Sequence, residues 1–276
     1  LEHPVHLLYL STTEKQDSVS HPRSLIKIGE NSAVTIVETY EYLYASKYFT
    51  NSVTEVTLGT GATVEYYKMQ RQSEQAFHIT NTYVSVGRDS SFSSVNIDLG
   101  GNLVRNNLNV LMNGTGGYCS LNGLYLTENS QHVDNQVIID HAEPHTTSNE
   151  LYKGILNDKS RTVFHGSIIV RKDAQKVDAR QEDRNLLLSD QAEADTKPAF
   201  WIYADDVRCG HGAACGHIDE TSLFYLRCRG IDEQTARNLL IRGFVTEVID
   251  SIRNDSVRSR VDELVQQKLA DWLGKS

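Results

Sequence analysis

Residues 33–38 read Ala-Val-Thr-Ile-Val-Glu, a near-alternation of apolar and polar side chains that most of the chain repeats. A period of two is typical of a β-strand with one buried face. Similar runs, rich in Val, Ile, Thr, Tyr and Phe, lie at 53–58, 62–68, 78–86, 92–99, 103–111, 118–126, 133–140, 150–156, 162–170, 185–188 and 200–204. Asn, Gly, Ser and Asp separate the runs, as at turns. We therefore predict an all-β region from about residue 25 to 207.

Three architectures can hold so many short strands: a sandwich, a barrel and a solenoid. Asn and Gly recur at the ends of the runs, as expected where each coil of a β-helix turns a corner. No strict hexapeptide or nonapeptide repeat is visible, which disfavours a left-handed β-helix. The alternation by itself leaves the three architectures open.

The hydrophobic period changes after Asp219. Asp219 is a plausible N-cap for a helix at 220–229, and Asp232 for a second helix that ends near residue 241. We predict a third helix at 244–253 and a fourth at 256–273, the last with one apolar stripe. The expected domains are a β core at 1–217 and a small helical domain at 218–276.

Composition excludes several classes of protein. The chain has 276 residues, 39% of them apolar and 23% charged, with a net charge of −9. A negative protein repels phosphate backbones, so we expect no nucleic-acid binding, and no run approaches the ~18 apolar residues of a membrane span. The motifs of P-loop ATPases, serine hydrolases, zinc proteases and dinucleotide-binding enzymes are all missing.

The four cysteines are Cys119, Cys209, Cys215 and Cys228, three of them within twenty residues. We interpret them as reduced thiols rather than a disulfide framework. Cys119 lies in an apolar run and is predicted to be in the core. Cys228 is predicted to pack on the first helix.

The segment 204–217 is the most informative for chemistry, because it repeats Cys-Gly-His. Cys209 and His211 are two residues apart, so in an extended segment both side chains leave the same face. A thiolate beside an imidazole suits iron, zinc or copper. With Cys215 and His217 they could supply two sulfur and two nitrogen ligands to a structural zinc ion. The alternative interpretation is a glycine-rich connector with buried thiols.

A second polar group consists of His132, His141 and His145 with Asp134, Asp140 and Glu143. These residues could bind a metal ion, but polar residues at β-turns commonly satisfy backbone groups instead, and we favour that interpretation.

Residues 197–213 read Lys-Pro-Ala-Phe-Trp-Ile-Tyr-Ala-Asp-Asp-Val-Arg-Cys-Gly-His-Gly-Ala and strongly resemble the SufB/SufD family of iron–sulfur cluster scaffold proteins. The resemblance continues at 163–166, 185–188, 192–198, 223–227 and 229–231, and the Cys-x-His-Gly-Ala motif is closer to the SufD branch. It implies a mainly β fold: a right-handed parallel β-helix-like core followed by a small C-terminal helical domain. The N-terminal helical domain of the family is expected to be missing, in agreement with a chain that starts at Leu1.

The resemblance also implies partners and a site. SufB is expected to pair with the β-helix, and the SufC ATPase to bind the C-terminal helices. The family's interface histidine falls on His211 and its nearby cysteine on Cys209, where a transient iron–sulfur cluster is shared with SufB. The isolated chain is expected to hold no cofactor tightly, to have no enzymatic activity and to be able to form a homodimer. The expected location is the cytoplasm, or the stroma of a plastid.

Overall fold

The computed structural model describes residues 1, 3–14 and 17–273, which form sixteen strands followed by three helices. The strands form two parallel sheets of eight strands each. The chain passes from one sheet to the other and back, and each coil after the first adds one strand to each sheet, apart from the incomplete ends. The result is a β-solenoid of about seven turns, and of the three architectures that the alternation left open the structure has the solenoid.

The first sheet contains β1 (Val5–Ser11), β4 (Ala33–Tyr42), β6 (Thr63–Gln70), β8 (Ser91–Asp98), β10 (Tyr118–Thr127), β12 (Thr147–Leu156), β14 (Asp178–Leu187) and β16 (Arg208–Gly216). The second sheet contains β2 (Ser18–Ser20), β3 (Arg23–Ile28), β5 (Tyr48–Leu58), β7 (Phe77–Val86), β9 (Leu103–Met112), β11 (His132–His141), β13 (Arg161–Val170) and β15 (Glu193–Ile202).

The length of a coil explains why no short repeat is visible in the sequence. Residues in register along the first sheet are Thr63, Ser91, Tyr118, Thr147, Asp178 and Arg208, which are 27 to 31 residues apart. The coils therefore share a backbone path, but their side chains differ from one coil to the next.

Left-handed backbone conformations mark the corners between the two sheets. On one side of the solenoid the residues with positive φ are Asn31, Gly61, Asp89, Gly116, His145 and Lys176. Their amides bond to the neighbouring coil, as when Gly61 N–H donates to Arg88 O at 2.9 Å. Asn, Asp and Gly tolerate this conformation best, which accounts for their recurrence at the ends of the predicted runs.

The interior of the solenoid is partly polar. Lys68 is buried, and its Nζ donates hydrogen bonds to Thr80 at 3.0 Å and Asn106 at 2.6 Å. Polar interior residues also explain why part of β14 was not predicted. The inward-facing Gln181 and Asp183 interrupt the alternation of apolar and polar residues. The sequence predicted a strand only at 185–188, whereas β14 begins seven residues earlier, at Asp178.

Three helices follow the last coil: α1 (Glu220–Cys228), α2 (Glu233–Asp250) and α3 (Asp255–Leu273). The prediction of four helices was wrong, because the second and third are one continuous helix. Its buried residues Ile241, Val245, Val248 and Ile249 keep the helical spacing on both sides of Gly243. That packing offsets the cost of about 1 kcal/mol of a glycine inside a helix.

The helices lie on the outer face of the first sheet, where apolar residues of both form one buried cluster. Lys153 of β12 connects the sheet to α2, since its Nζ donates to Phe244 O at 2.8 Å and pairs with Glu247 at 2.7 Å.

The domain boundary between residues 217 and 218 stays a prediction. Cys228 is exposed rather than packed, so that prediction was wrong, whereas Cys119 is buried as expected. None of the three described helices has the length and apolar character that crossing a bilayer requires.

We expect Gly243→Ala to raise the free energy of unfolding by about 0.5–1 kcal/mol, because alanine loses less backbone entropy in a helix. A Cβ atom at this exposed position would meet no atom within 4 Å. Urea denaturation of the two proteins measures the difference. A loss of stability would show that α2 needs glycine at this point for another reason.

Candidate functional site

The last coil of the solenoid, formed by β15 and β16, carries Cys209 and His211. In β16, Cys209 is in register with Ala179 and His211 with Gln181, both of which are buried in the interior. Cys209 and His211 therefore point inward, on the same face of the strand, as their spacing predicts. No further coil covers them within the described residues, so Cys209 is half-buried and His211 exposed. We call the inward face of β15 and β16 the mouth of the solenoid.

Phe200 of β15 holds the imidazole ring from the opposite side of the mouth. The rings of Phe200 and His211 are stacked, with centroids 4.6 Å apart and planes at 28°. Beyond Phe200 the side chains of Trp201 and Tyr203 are exposed. The sequence analysis singled out Cys209 and His211 but not this aromatic contact, which depends on how the two sheets face each other.

Burial raises the pKa of the Cys209 thiol, and the Asp178 carboxylate adds to the effect. Burial likewise raises the pKa of Cys215, with Asp183 as a second cause. Both cysteines are therefore thiols at neutral pH. A metal ion that binds Cys209 must displace a proton, since the thiolate is the ligand.

The four residues of the predicted zinc site are not brought together. They follow one extended strand, which rises about 3.3 Å per residue, so the backbones of Cys209 and Cys215 are about 20 Å apart. Zinc ligands all lie about 2.0–2.3 Å from the ion. His217 comes after the end of β16, and its Nδ1 is 3.1 Å from Leu187 O. Among the described residues no group of three or more His, Cys, Asp or Glu side chains is placed to hold a metal ion.

The second polar group has a structural role around His141, as we favoured from the sequence. His141 is buried, with Nδ1 2.7 Å from the Thr146 hydroxyl and Nε2 2.9 Å from the Ser148 hydroxyl. Burial lowers the pKa of His141 to about 4, so the ring is neutral. Asp134 and Asp140 form ion pairs with arginines of neighbouring coils, Arg105 and Arg171.

Two buried polar side chains lie behind His211. Gln181 donates a hydrogen bond from Nε2 to Glu150 Oε2 at 2.7 Å. Burial raises the pKa of Glu150 to about 8, and the nearby Asp183 adds to the effect. The sequence analysis missed both residues. They could be identified by counting back one coil length at a time from His211, because Gln181 and Glu150 precede it by one and two coils in register.

We expect Glu150→Gln to flatten the pH dependence of stability. The folded carboxyl holds its proton to about pH 8, whereas an unfolded glutamate loses it near pH 4.3. The folded state thus binds more protons between these values, and the wild-type free energy of unfolding falls as pH rises. The difference between the variant and the wild type should grow by a few kcal/mol from about pH 5 to 9. Denaturation at several pH values measures it, and parallel curves would contradict it.

An open pocket of about 440 Å³ lies at the same end of the solenoid, lined by residues 178–182 and 208–212. The site is thus a strand at the end of a solenoid, with one thiol and one imidazole on its inward face. Two ligands make an incomplete set for iron or zinc. The pair lies at an open end of the solenoid rather than in an enclosed active site.

Comparison with known proteins identifies the family of the chain. The family described as SUF system FeS cluster assembly, SufBD core domain, matches residues 10–244. The chain belongs to the SufBD family.

Several relatives are similar over nearly the whole chain. An iron–sulfur cluster assembly SufBD family protein of Synechocystis sp. is 34% identical over 96% of this chain and 60% of its own length. The iron–sulfur cluster assembly protein SufD of Escherichia coli is 30% identical over 96% of this chain and 63% of its own length. The chloroplastic protein ABCI7 of Arabidopsis thaliana is 35% identical over 94% of this chain and 56% of its own length. The chain thus spans about 60% of the length of these relatives.

Proposed function

We propose that this chain is a SufD-type scaffold subunit of an iron–sulfur cluster assembly complex, without catalytic activity of its own. It pairs with SufB through the end of the solenoid and binds the SufC ATPase through its C-terminal helices. Cys209 and His211 help to hold the nascent cluster, which is transient cargo and not a resident cofactor. The proposed compartment is the bacterial cytoplasm or the plastid stroma, in keeping with bacterial and chloroplastic relatives.

The observation that carries the proposal is the position of Cys209 and His211 on the last strand. Within the described residues, β16 pairs with β14 on one edge and with no strand on the other. An unpaired edge is a template for association with another chain. A cluster iron needs more ligands than one thiolate and one imidazole, so the partner that covers this edge must supply the others. Imidazole suits a transient site, because nitrogen holds iron less tightly than a second thiolate.

The exposed surface of the C-terminal helices supports the proposed binding of SufC. On α1, Phe224 and Tyr225 are exposed, with 69% and 57% of their surface accessible. Exposed aromatic side chains are characteristic anchors of protein interfaces. The bonds of Lys153 to α2 tie these helices to the sheet, so a movement of bound SufC would be transmitted to the solenoid.

We expect co-expression with SufB and SufC to yield a complex of one copy of this chain, one SufB and two SufC. Affinity purification followed by light scattering gives the mass and the stoichiometry. The chain expressed alone, which is able to pair with itself through the β16 edge, is the control. Failure to retain either partner would contradict the proposed function, while the fold and the family would stand.

A further inference from the structure

One row of side chains crosses the interior and ends at His211. Leu121, Glu150, Gln181 and His211 occupy successive strands of the first sheet in register, and all four face inward. Neighbouring strands are about 4.8 Å apart. The side chains of this row are therefore within contact distance of the next member, and Gln181 is the interior neighbour of His211.

Gln181 is fixed in orientation. It is fully buried, and its Nε2 donates to Glu150 Oε2 at 2.7 Å. A Cβ atom at Gly166 on the opposite sheet would lie 1.9 Å from Gln181 Nε2, so the amide fills the space that this glycine leaves. Because the amide nitrogen bonds to Glu150, the amide oxygen, Oε1, is the atom left for another partner.

That oxygen lacks a partner. Gln181 Oε1 has no hydrogen bond within the described part of the chain. Buried polar atoms are nearly always paired, and an unpaired acceptor is destabilising. On the last coil the residue in register with Gln181 is His211, whose neutral ring carries one N–H donor. A histidine that binds metal commonly donates its second ring N–H to a nearby acceptor, which fixes the tautomer.

We propose that Gln181 is a positioning residue for His211. The two side chains are not hydrogen-bonded in this structure, and a small rotation of the ring or the amide lets Oε1 accept from the inward ring nitrogen. The outward nitrogen is then unprotonated and available to a metal ion at the mouth. Phe200 fixes the plane of the ring and Gln181 fixes its tautomer. Above about pH 8 the Glu150 carboxylate is ionised and can only accept, so it takes the Gln181 N–H and leaves the amide oxygen free for His211. This inference rests on the proposed function in so far as it takes His211 to be a ligand.

The test is the tautomer ratio of His211 in the protein without partners. Histidine side chains labelled with ¹⁵N report the two ring nitrogens separately by NMR, and the His211→Ala spectrum assigns the signals. The spectra are recorded at about pH 8.5. We expect the wild-type ring to hold one tautomer. In Gln181→Met the ratio should fall by about threefold to tenfold, the size of one hydrogen bond.

Gln70→Met is the matched control, because Gln70 is also a fully buried inward amide of the first sheet, in β6. It should leave the His211 ratio unchanged. A wild-type ring that averages its tautomers would overturn the inference, whether or not the variants fold. So would equal ratios in Gln181→Met and the wild type, or an equal loss in both variants. Complex formation with SufB and SufC is measured separately, so either idea can fail while the other stands.

Discussion

The His211→Ala variant is expected to join SufB and SufC as the wild-type protein does, while the yield of cluster-loaded client protein falls at least about tenfold. The ring is exposed at the mouth, and its stacking on Phe200 contributes about 0.5–1.5 kcal/mol, so its loss should spare the fold. Its removal leaves Cys209 as the only ligand of this chain at the proposed shared site. Cluster transfer to an apo-ferredoxin, followed by absorbance and circular dichroism, measures the yield.

His217→Ala is the matched control for this experiment. His217 lies one residue beyond the end of β16, is exposed like His211, and contacts Leu187 O rather than the mouth. Its substitution should leave the cluster yield within twofold of the wild type. A normal yield from His211→Ala would contradict the proposed role of the ring. A variant that no longer binds SufB would assign His211 to assembly of the complex instead.

The common face of Cys209 and His211 could be predicted from the sequence, because it depends only on the period of a strand. Their position at the open end could not. The alternation of side chains shows which residues face inward but not which strands are neighbours. Pairing here joins residues 27 to 31 positions apart with no shared side-chain motif, so the resemblance to a known family was needed to choose the solenoid.

The missed features have two physical causes. The sequence analysis ended the second helix near residue 241 and began the third at 244, but packing on the sheet carries α2 through Gly243. The inward positions Glu150 and Gln181 are polar, whereas a half-buried strand is recognised by apolar residues at such positions. Interior polar residues are thus both the reason that β14 was underestimated and the basis for assigning Gln181 a role behind His211.

Gly114→Ala is expected to destabilise the protein by about 3 kcal/mol or more, the largest effect on stability that we predict. Gly114 is buried at a corner, packed on the corner of the preceding coil. A Cβ atom there would lie 2.1 Å from Arg88 N and 2.4 Å from Gly87 C. Both are backbone atoms of a hydrogen-bonded turn, so no side-chain rotation relieves the overlap, and the spacing between two coils has to change.

Gly216→Ala is the control, because a Cβ atom at Gly216 would meet nothing within 4 Å. Its effect on the free energy of unfolding should stay within about 0.5 kcal/mol. Urea denaturation followed by circular dichroism compares both variants with the wild type. Because each coil contacts only its neighbours, displacement at Gly114 should loosen the adjoining coils before the last one. Hydrogen exchange should therefore rise first in β8 and β10, while protection of β14 is retained. Equal stability of Gly114→Ala and the wild type would mean that adjacent coils can separate at this corner at little cost.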